Sequence, residues 1–171
     1  MAENSSNTAS GSHRSGAKRL IIMRHAEADW GLNDFDRPLT KRGHEQAAAA
    51  GAWLASRGYI PEQIMSSSAL RTRQTTTWVA DGLGSKAPTA HLDEGLYEVS
   101  AARIIARING VSENVHSLMV VSHLPGVQDA AQRLEQCTLP RTVRSDQPDD
   151  LPRPHGEGYI LEDHLAMIAG I

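Results

Sequence analysis

The chain has 171 residues, enough for one domain with a hydrophobic core of its own. Apolar residues make up 40% and aromatic residues only 4%, so that core must rest on Ala, Leu, Ile and Val. A formal net charge of -3 supplies no general attraction to nucleic acid or to an anionic membrane, and no apolar run reaches the length of a membrane span. The single cysteine, Cys137, rules out an intrachain disulfide, and the polar stretch Met1 to Ala17 lacks the apolar centre of a secretory signal. A cytoplasmic monomer is the default expectation.

Residues 1–17 are rich in Ser, Asn and Gly and are expected to be disordered, because they hold too little apolar surface to offset ordering. Lys18 to Met23 is a short apolar run that predicts a buried strand, with Arg24 and His25 directly after it. Ala26 to Arg37 reads as a loop. Thr40 is placed to cap a helix that runs through the alanine-rich stretch to about Arg57, where Gly58 closes it. A second strand is expected within Glu62 to Ser66. A helix follows from about Ala69 to Asp81, with Leu70, Val79 and Leu83 as core candidates. Thr89 to Leu92 predicts a strand and Ala101 to Ile108 a helix. Ser117 to Ser122 predicts a fully buried strand, with His123 next and a helix from Gly126 to about Glu135.

The last part differs in character. Thr138 to Gly158 contains Pro140, Pro148, Pro152 and Pro154 among many charges and reads as loop or disorder. Tyr159 to Leu161 predicts a short strand and Glu162 to Ala169 a short helix. From Ser145 to Ile171, six acids face one base, Arg153, a net of -5. Strands alternating with helices predict an α/β fold of three layers, a mostly parallel central sheet with helices on both faces. The expected division is a disordered segment over 1–17, a folded domain over 18–137 and an atypical Pro-rich acidic segment over 138–171.

In an open parallel sheet, ligands gather beyond the carboxyl ends of the strands. His25 and His123 both follow predicted strands, Arg24 ends one, and Arg71 opens the helix after another. Guanidinium forks match phosphoryl oxygens and stay charged at any physiological pH. A neutral imidazole is a nucleophile near pH 7, since its pKa lies near ~6.5, and a protonated second imidazole would add a donor. Phosphoryl transfer is mostly positioning and charge stabilisation, so this set points to transfer of a phosphoryl group to His25 followed by hydrolysis.

Four blocks in order then carry a resemblance. Met23-Arg24-His25-Ala26-Glu27 resembles the Arg-His signature of the histidine phosphatase superfamily. The segment from Asp36 to Gly43, with Pro38-Leu39-Thr40, is similar to that family's Pro-Leu-Thr-x-x-Gly block. Ser67 to Thr75 resembles the segment that supplies its second arginine, here Arg71. Ser122-His123-Leu124-Pro125 resembles the segment with its second histidine, in a form typical of the SixA branch. Together they cover about Arg19 to Leu134.

The resemblance implies a phosphoglycerate mutase-like fold and a phosphatase in which His25 attacks phosphorus while Arg24, Arg71 and His123 hold the phosphoryl oxygens. It further implies an acid for the leaving group near Glu94, with Asp93 and Glu98 as rivals. The SixA branch tends to lack a clear acid there. An imidazole leaves more easily than an alcohol, which suits a phosphohistidine on a signalling protein as substrate. A small phosphoester as substrate, or a module that recognises phosphate without turnover, are the alternatives. The family usually adds further apolar strands after the point where the resemblance fades, and without them a sheet edge would be left open.

No cofactor is implied. The other histidines show no spacing typical of zinc, so no metal is expected. Glu27 and Asp29 read as loop residues, Arg73 as structural, and Trp30, Trp53 and Trp78 as packing residues. No Gly-rich phosphate loop ending in Gly-Lys-Ser/Thr appears, and Arg141 follows Cys137 too closely for the Cys-x5-Arg loop of cysteine phosphatases.

Overall fold

The computed structural model of the protein describes residues 18–30 and 33–136, together with the backbone of Cys137, of 142–144 and of 159–161. Six strands form one sheet: β1 (Arg19–Arg24), β2 (Gln63–Ser67), β3 (Ala90–Asp93), β4 (Ser117–Ser122), β5 (Thr142–Arg144) and β6 (Tyr159–Leu161). Their order across the sheet is β3-β2-β4-β1-β6-β5. The pairs β1 with β4, β4 with β2 and β2 with β3 are parallel, whereas β6 lies antiparallel to both β1 and β5. Four helices join them: α1 (Lys41–Ser56), α2 (Leu70–Leu83), α3 (Ala101–Asn109) and α4 (Gly126–Cys137).

The chain order decides where the helices lie. From β1 to β2 and from β2 to β3 the chain moves toward one edge, and from β3 to β4 and onward it moves back. Right-handed crossovers therefore send α1 and α2 to one face and α3 and α4 to the other. In accord, α1 packs on α2 and α3 packs on α4. Strands covered on both faces must be apolar throughout. Ile21, Ile22 and Met23 of β1 are fully buried, and every residue of β4 is buried.

Local signals set the element ends. The Thr40 hydroxyl accepts from the Gly43 N–H at 3.0 Å and caps α1, as its sequence position predicts. Gly58, just past the α1 end, takes φ 71, where a side chain would be strained. Helices α1 and α2 approach so closely that a Cβ on Gly51 would stand well inside contact distance of the Val79 carbonyl oxygen. Alanine in place of Gly51 gains about 1 kcal/mol of helix propensity, but the obstacle is backbone, which cannot rotate away. The expected net loss is about 2 kcal/mol, read as a Tm lower by roughly 5 °C in thermal denaturation. An unchanged Tm would mean that the two helices separate at no cost.

The C-terminal part departs from one expectation. Thr142–Arg144, assigned by its proline-rich surroundings to loop, is a strand, and Tyr159–Leu161 is a strand as predicted. The edge of β1 is therefore covered by β6, with Leu20 opposite Leu161, and the sheet continues beyond residue 137. The helix expected over Glu162 to Ala169 and the disorder expected over residues 1–17 lie outside the described residues. Among the described residues no helix is long and apolar enough to cross a membrane.

Candidate active site

The sheet has its reversal of winding between β1 and β4. The connection leaving β1 runs to one face and the connection leaving β4 to the other, which opens a crevice at the carboxyl ends of these two neighbours. His25 stands at the end of β1 and His123 at the end of β4. The His25 N–H donates to the Ser122 carbonyl at 3.1 Å, which ties the strand ends together. The two imidazole rings sit 5.3 Å apart between centroids, tilted by 56°. They are 7% and 3% exposed. Arg24 ends β1, and Arg71, in the first turn of α2, is 2% exposed. The four residues expected to share a site thus converge on one crevice.

Each side chain is held. His25 Nδ1 lies 2.8 Å from the Ala26 carbonyl oxygen, which can only accept, so Nδ1 carries the hydrogen and the lone pair of the neutral ring is on Nε2. Ala26 also donates its own N–H to Thr75 Oγ1 at 2.9 Å, and the Thr75 hydroxyl donates to the Arg71 carbonyl at 2.7 Å. The loop that follows His25 and the helix that carries Arg71 are therefore built on one chain of hydrogen bonds. The Pro-Leu-Thr-x-x-Gly block anchors the other end of the loop. The Thr40 N–H donates to the Glu27 carbonyl at 3.0 Å, and a Cβ on Gly43 would collide with that carbonyl.

His123 pairs its Nε2 with Ser67 Oγ at 2.8 Å and meets the Tyr97 ring edge-on at 5.3 Å. Arg71 donates through Nη2 to Asp34 Oδ2 at 2.9 Å and through Nη1 to the Asp34 carbonyl. Asp34, in a 3-10 turn over Asp34–Asp36, also accepts from the Tyr97 hydroxyl at 2.7 Å and pairs with Arg37 at 3.0 Å.

Electrostatics follow from this crowding of cations in a buried place. Burial first, then Arg71, Arg24 and Arg37, push His25 down to about 4 against the opposing hydrogen bond to Ala26. Burial, then Arg71 and His25, push His123 down to about 3. Both rings are neutral at pH 7. That suits a nucleophile at His25 and corrects the expectation of a protonated His123: in the free site this ring is uncharged, and an arriving dianion would favour its protonation. The Tyr97 hydroxyl, followed by Arg71 and Arg37, holds Asp34 down to about 2 even though its partial burial acts the other way. The side-chain Nε atoms of Arg24, Arg37 and Arg71 and Nδ1 of His123 are buried with no hydrogen-bond partner among the described residues.

Comparison with known proteins assigns the family. The family model for the histidine phosphatase superfamily (branch 1) matches residues 20–123, more than half of the chain. The chain belongs to this superfamily. An uncharacterised chloroplastic protein of Arabidopsis thaliana is 31% identical over 136 residues, 72% of this chain and 62% of that protein. An uncharacterised protein of Mycobacterium tuberculosis strain H37Rv is 39% identical over 105 residues, 60% of this chain and 63% of that protein. The chain thus spans just over three fifths of the length of these curated relatives. Among solved structures, SixA of Agrobacterium tumefaciens superposes with a TM-score of 0.64 at 25% identity, covering 86% of this chain and 93% of that one. A protein histidine phosphatase SixA complexed with tungstate shares the fold, with a TM-score of 0.65 at 24% identity, over 83% and 86% of the two chains.

In this histidine phosphatase superfamily member, Glu94 does not join the site residues expected from sequence. It is exposed, and its carboxylate makes no hydrogen bond or ion pair among the described residues. Its rival Asp93 is engaged with Arg107 at 3.2 Å and with the Gly95 N–H. The carboxylates that reach Arg71 are Asp34 and Glu98, the latter 3.8 Å from Nη2 on a residue with φ 46. Ser67, Tyr97, Asp34 and Arg37 are site neighbours that sequence reading did not single out. Arg37 and Ser67 carried a usable signal there, since each lies in one of the blocks that carry the resemblance, Asp36 to Gly43 and Ser67 to Thr75. Trp30, expected to pack, is 85% exposed and lies under the Arg37 guanidinium at 4.6 Å. Arg73 is exposed. Among the described residues no group of three or more His, Cys, Asp or Glu is placed to hold a metal ion.

Proposed function

We propose that this protein is a phosphatase that works through a phosphohistidine on His25, and that its substrate is a phosphohistidine side chain of a signalling protein. The observation that carries the reading is the clamp of His25 Nδ1 on the Ala26 carbonyl, which leaves an uncharged Nε2 lone pair beside buried guanidiniums. Nε2 attacks phosphorus, the bond from phosphorus to the leaving group breaks, and the phosphoryl oxygens stay on Arg24, Arg71 and His123 throughout. Water then attacks the same phosphorus, the bond to Nε2 breaks, and inorganic phosphate leaves with His25 restored.

The choice of phosphohistidine rests on the carboxylates. Asp34 is held ionised at neutral pH by Tyr97 and Arg71, so it has no proton to give, and Glu94 is exposed and makes no ion pair with Arg71, which Asp34 and Glu98 reach instead. An imidazole already protonated on its other nitrogen departs as a neutral base without an acid, whereas an alkoxide needs one. The similarity to SixA proteins supports the same substrate class. A phosphomonoesterase reading finds its support in Glu98, a carboxylate at the rim of the crevice.

Rates on a phosphohistidine peptide, a phosphoserine peptide and an alkyl phosphate separate the two. The expected kcat/KM is at least about 100-fold higher for phosphohistidine, with Glu94→Gln and Glu98→Gln each within about threefold of wild type. Comparable rates on all three substrates, abolished by either Gln variant, would replace this substrate with a small phosphoester. Binding of phosphate with no turnover of any of them would make the protein a recognition module.

A further inference from the structure

We propose that Asp34 is a positioning residue of this site: it grips one edge of the Arg71 guanidinium and leaves the other edge for a phosphoryl group. The inference rests on the reading of the crevice as a phosphoryl site and accounts for how its buried arginine is held. A guanidinium offers two forks of N–H donors, one at its end (Nη1 with Nη2) and one along its side (Nε with Nη2). Asp34 takes the whole end fork. Its carbonyl accepts from Arg71 Nη1, and its Oδ2 accepts from Nη2 at 2.9 Å. The side fork stays open: Nε is buried without a partner among the described residues, and Nη2 has a second hydrogen to join it.

Asp34 is itself fixed from several sides. The Tyr97 hydroxyl donates to Oδ2 at 2.7 Å, and Arg37 Nη2 lies 3.0 Å from Oδ1. Asn33 closes the turn that carries Asp34: its Oδ1 accepts from the Asp36 N–H at 3.1 Å, and its Nδ2 donates to Asp36 Oδ2 at 2.6 Å. The Tyr97 ring centre lies 5.8 Å from Arg71 Cζ. Tyr97, Arg71 and Arg37 hold Asp34 ionised far below neutral pH, so the grip does not titrate there.

Two features separate this contact from an ordinary ion pair. A pair whose only task was to neutralise a buried cation would leave none of its donors unmet, because a buried charged N–H without an acceptor is costly. Arg71 is 2% exposed and one acceptor short. The second feature is the sign of the charge. Arg71 acts on both His25 and His123, so Asp34 brings a negative charge beside the place where an anion is to bind. A residue chosen to attract phosphate would not be an acid. What Asp34 supplies is orientation: with the end fork taken, the side fork is held in one place, where it can meet two oxygens of an oxyanion at once.

Kinetics and side-chain NMR of the full chain test the role together. Asp34→Ala is expected to lower kcat on an aryl phosphate about 100-fold, the usual result of letting a transition-state donor drift by about an ångström. Asp34→Asn is isosteric but uncharged, holds Nη2 more weakly and is expected to lose about 10-fold, and it serves if the alanine variant does not fold. In ¹H–¹⁵N spectra, with the Arg71 signals assigned by their loss in Arg71→Lys, the wild-type Nη signals are expected to be resolved, because a gripped guanidinium rotates slowly. The Nε–H signal should move downfield when tungstate is added. In folded Asp34→Ala the Nη signals should merge and the response of Nε–H to tungstate should be lost. A residue that only stabilises the loop would lower Tm while kcat stays within about twofold of wild type and the Arg71 signals stay unchanged, and that result overturns the proposal. A wild-type Nε–H indifferent to saturating tungstate overturns it too, since the side fork would then meet no anion. The spectra need no turnover, so the two readings fail separately. A wild type that turns over no phosphate but shows the tungstate response, lost in Asp34→Ala, keeps the role of Asp34 and removes the phosphatase. An active enzyme whose Asp34 variants keep wild-type kcat removes the role of Asp34 alone.

Discussion

His25→Ala is expected to lower turnover of an aryl phosphate by about four orders of magnitude or more, while tungstate binding stays within about tenfold of wild type. The two readouts part because, in the proposed mechanism, the residue forms the covalent bond but is not the main holder of charge. Arg24 and Arg71 remain in place to grip the anion, and no other group takes over the attack. His123 is the nearest rival, at 5.3 Å between ring centroids, but its Nε2 is committed to Ser67. The lone pair that the structure fixes in place is that of His25 Nε2, whose tautomer is set by Ala26 and, behind it, by Thr75. His123→Ala removes a donor to the phosphoryl group rather than the nucleophile, so its expected loss is smaller, about 10²- to 10³-fold. Rapid quenching into alkali, where a phosphorus–nitrogen bond survives, followed by peptide mass spectrometry, should find the phosphoryl group on His25. A phosphoryl group on His123, or His25→Ala turnover above a tenth of wild type, would end the mechanism.

The backbone of the site was legible in the sequence for a physical reason. Buried strands are short apolar runs, and the polar residues that end them, Arg24-His25 and Ser122-His123, can be read at a glance. A parallel sheet then brings strand ends to one rim, which is why His25, His123, Arg24 and Arg71 meet. The capping of α1 by Thr40 was equally local, a hydroxyl and an N–H three residues apart. What escaped depends on how a loop folds back. Asp34 reaches Arg71 across 37 residues and Tyr97 across 63, and nothing in a run such as Asp34-Phe35-Asp36 announces either partner. Glu94 was expected from the resemblance, which implies an acid near it, but the 3-10 turn that begins there leaves it exposed. Three residues of β5 inside a proline-rich stretch are too few to show a period, and pairing with β6, itself held on β1, makes them a strand.

Acidification of the free protein from pH 7.5 to 5.5 is expected to remove about 2.5 kcal/mol of stability through His25 and His123 alone. In the unfolded chain both rings titrate near ~6.5. In the folded protein burial and the surrounding arginines hold them at about 4 and about 3. Between those values the unfolded chain binds more protons than the folded one. Stability is therefore complete above about pH 7 and falls as the pH drops toward 4, by about 1.3 kcal/mol for each ring over this interval. Asp34 does not contribute there. Its folded value of about 2 lies below its ordinary carboxylate value, so its share is lost only at more acid pH. Urea titrations at the two pH values measure the loss, and His25→Ala should show about half of it, since one of the two rings is gone. An oxyanion reverses the balance. A dianion between the rings favours their protonated forms, so sulfate, which stays doubly charged over this range, should bind more tightly at pH 5.5 and restore stability there by mass action. Equal stability at both pH values, or the full slope retained in His25→Ala, would mean that the two imidazoles titrate in the folded protein as they do in water, and that the crevice lacks the cationic, desolvated character on which nucleophilic attack by a neutral His25 depends.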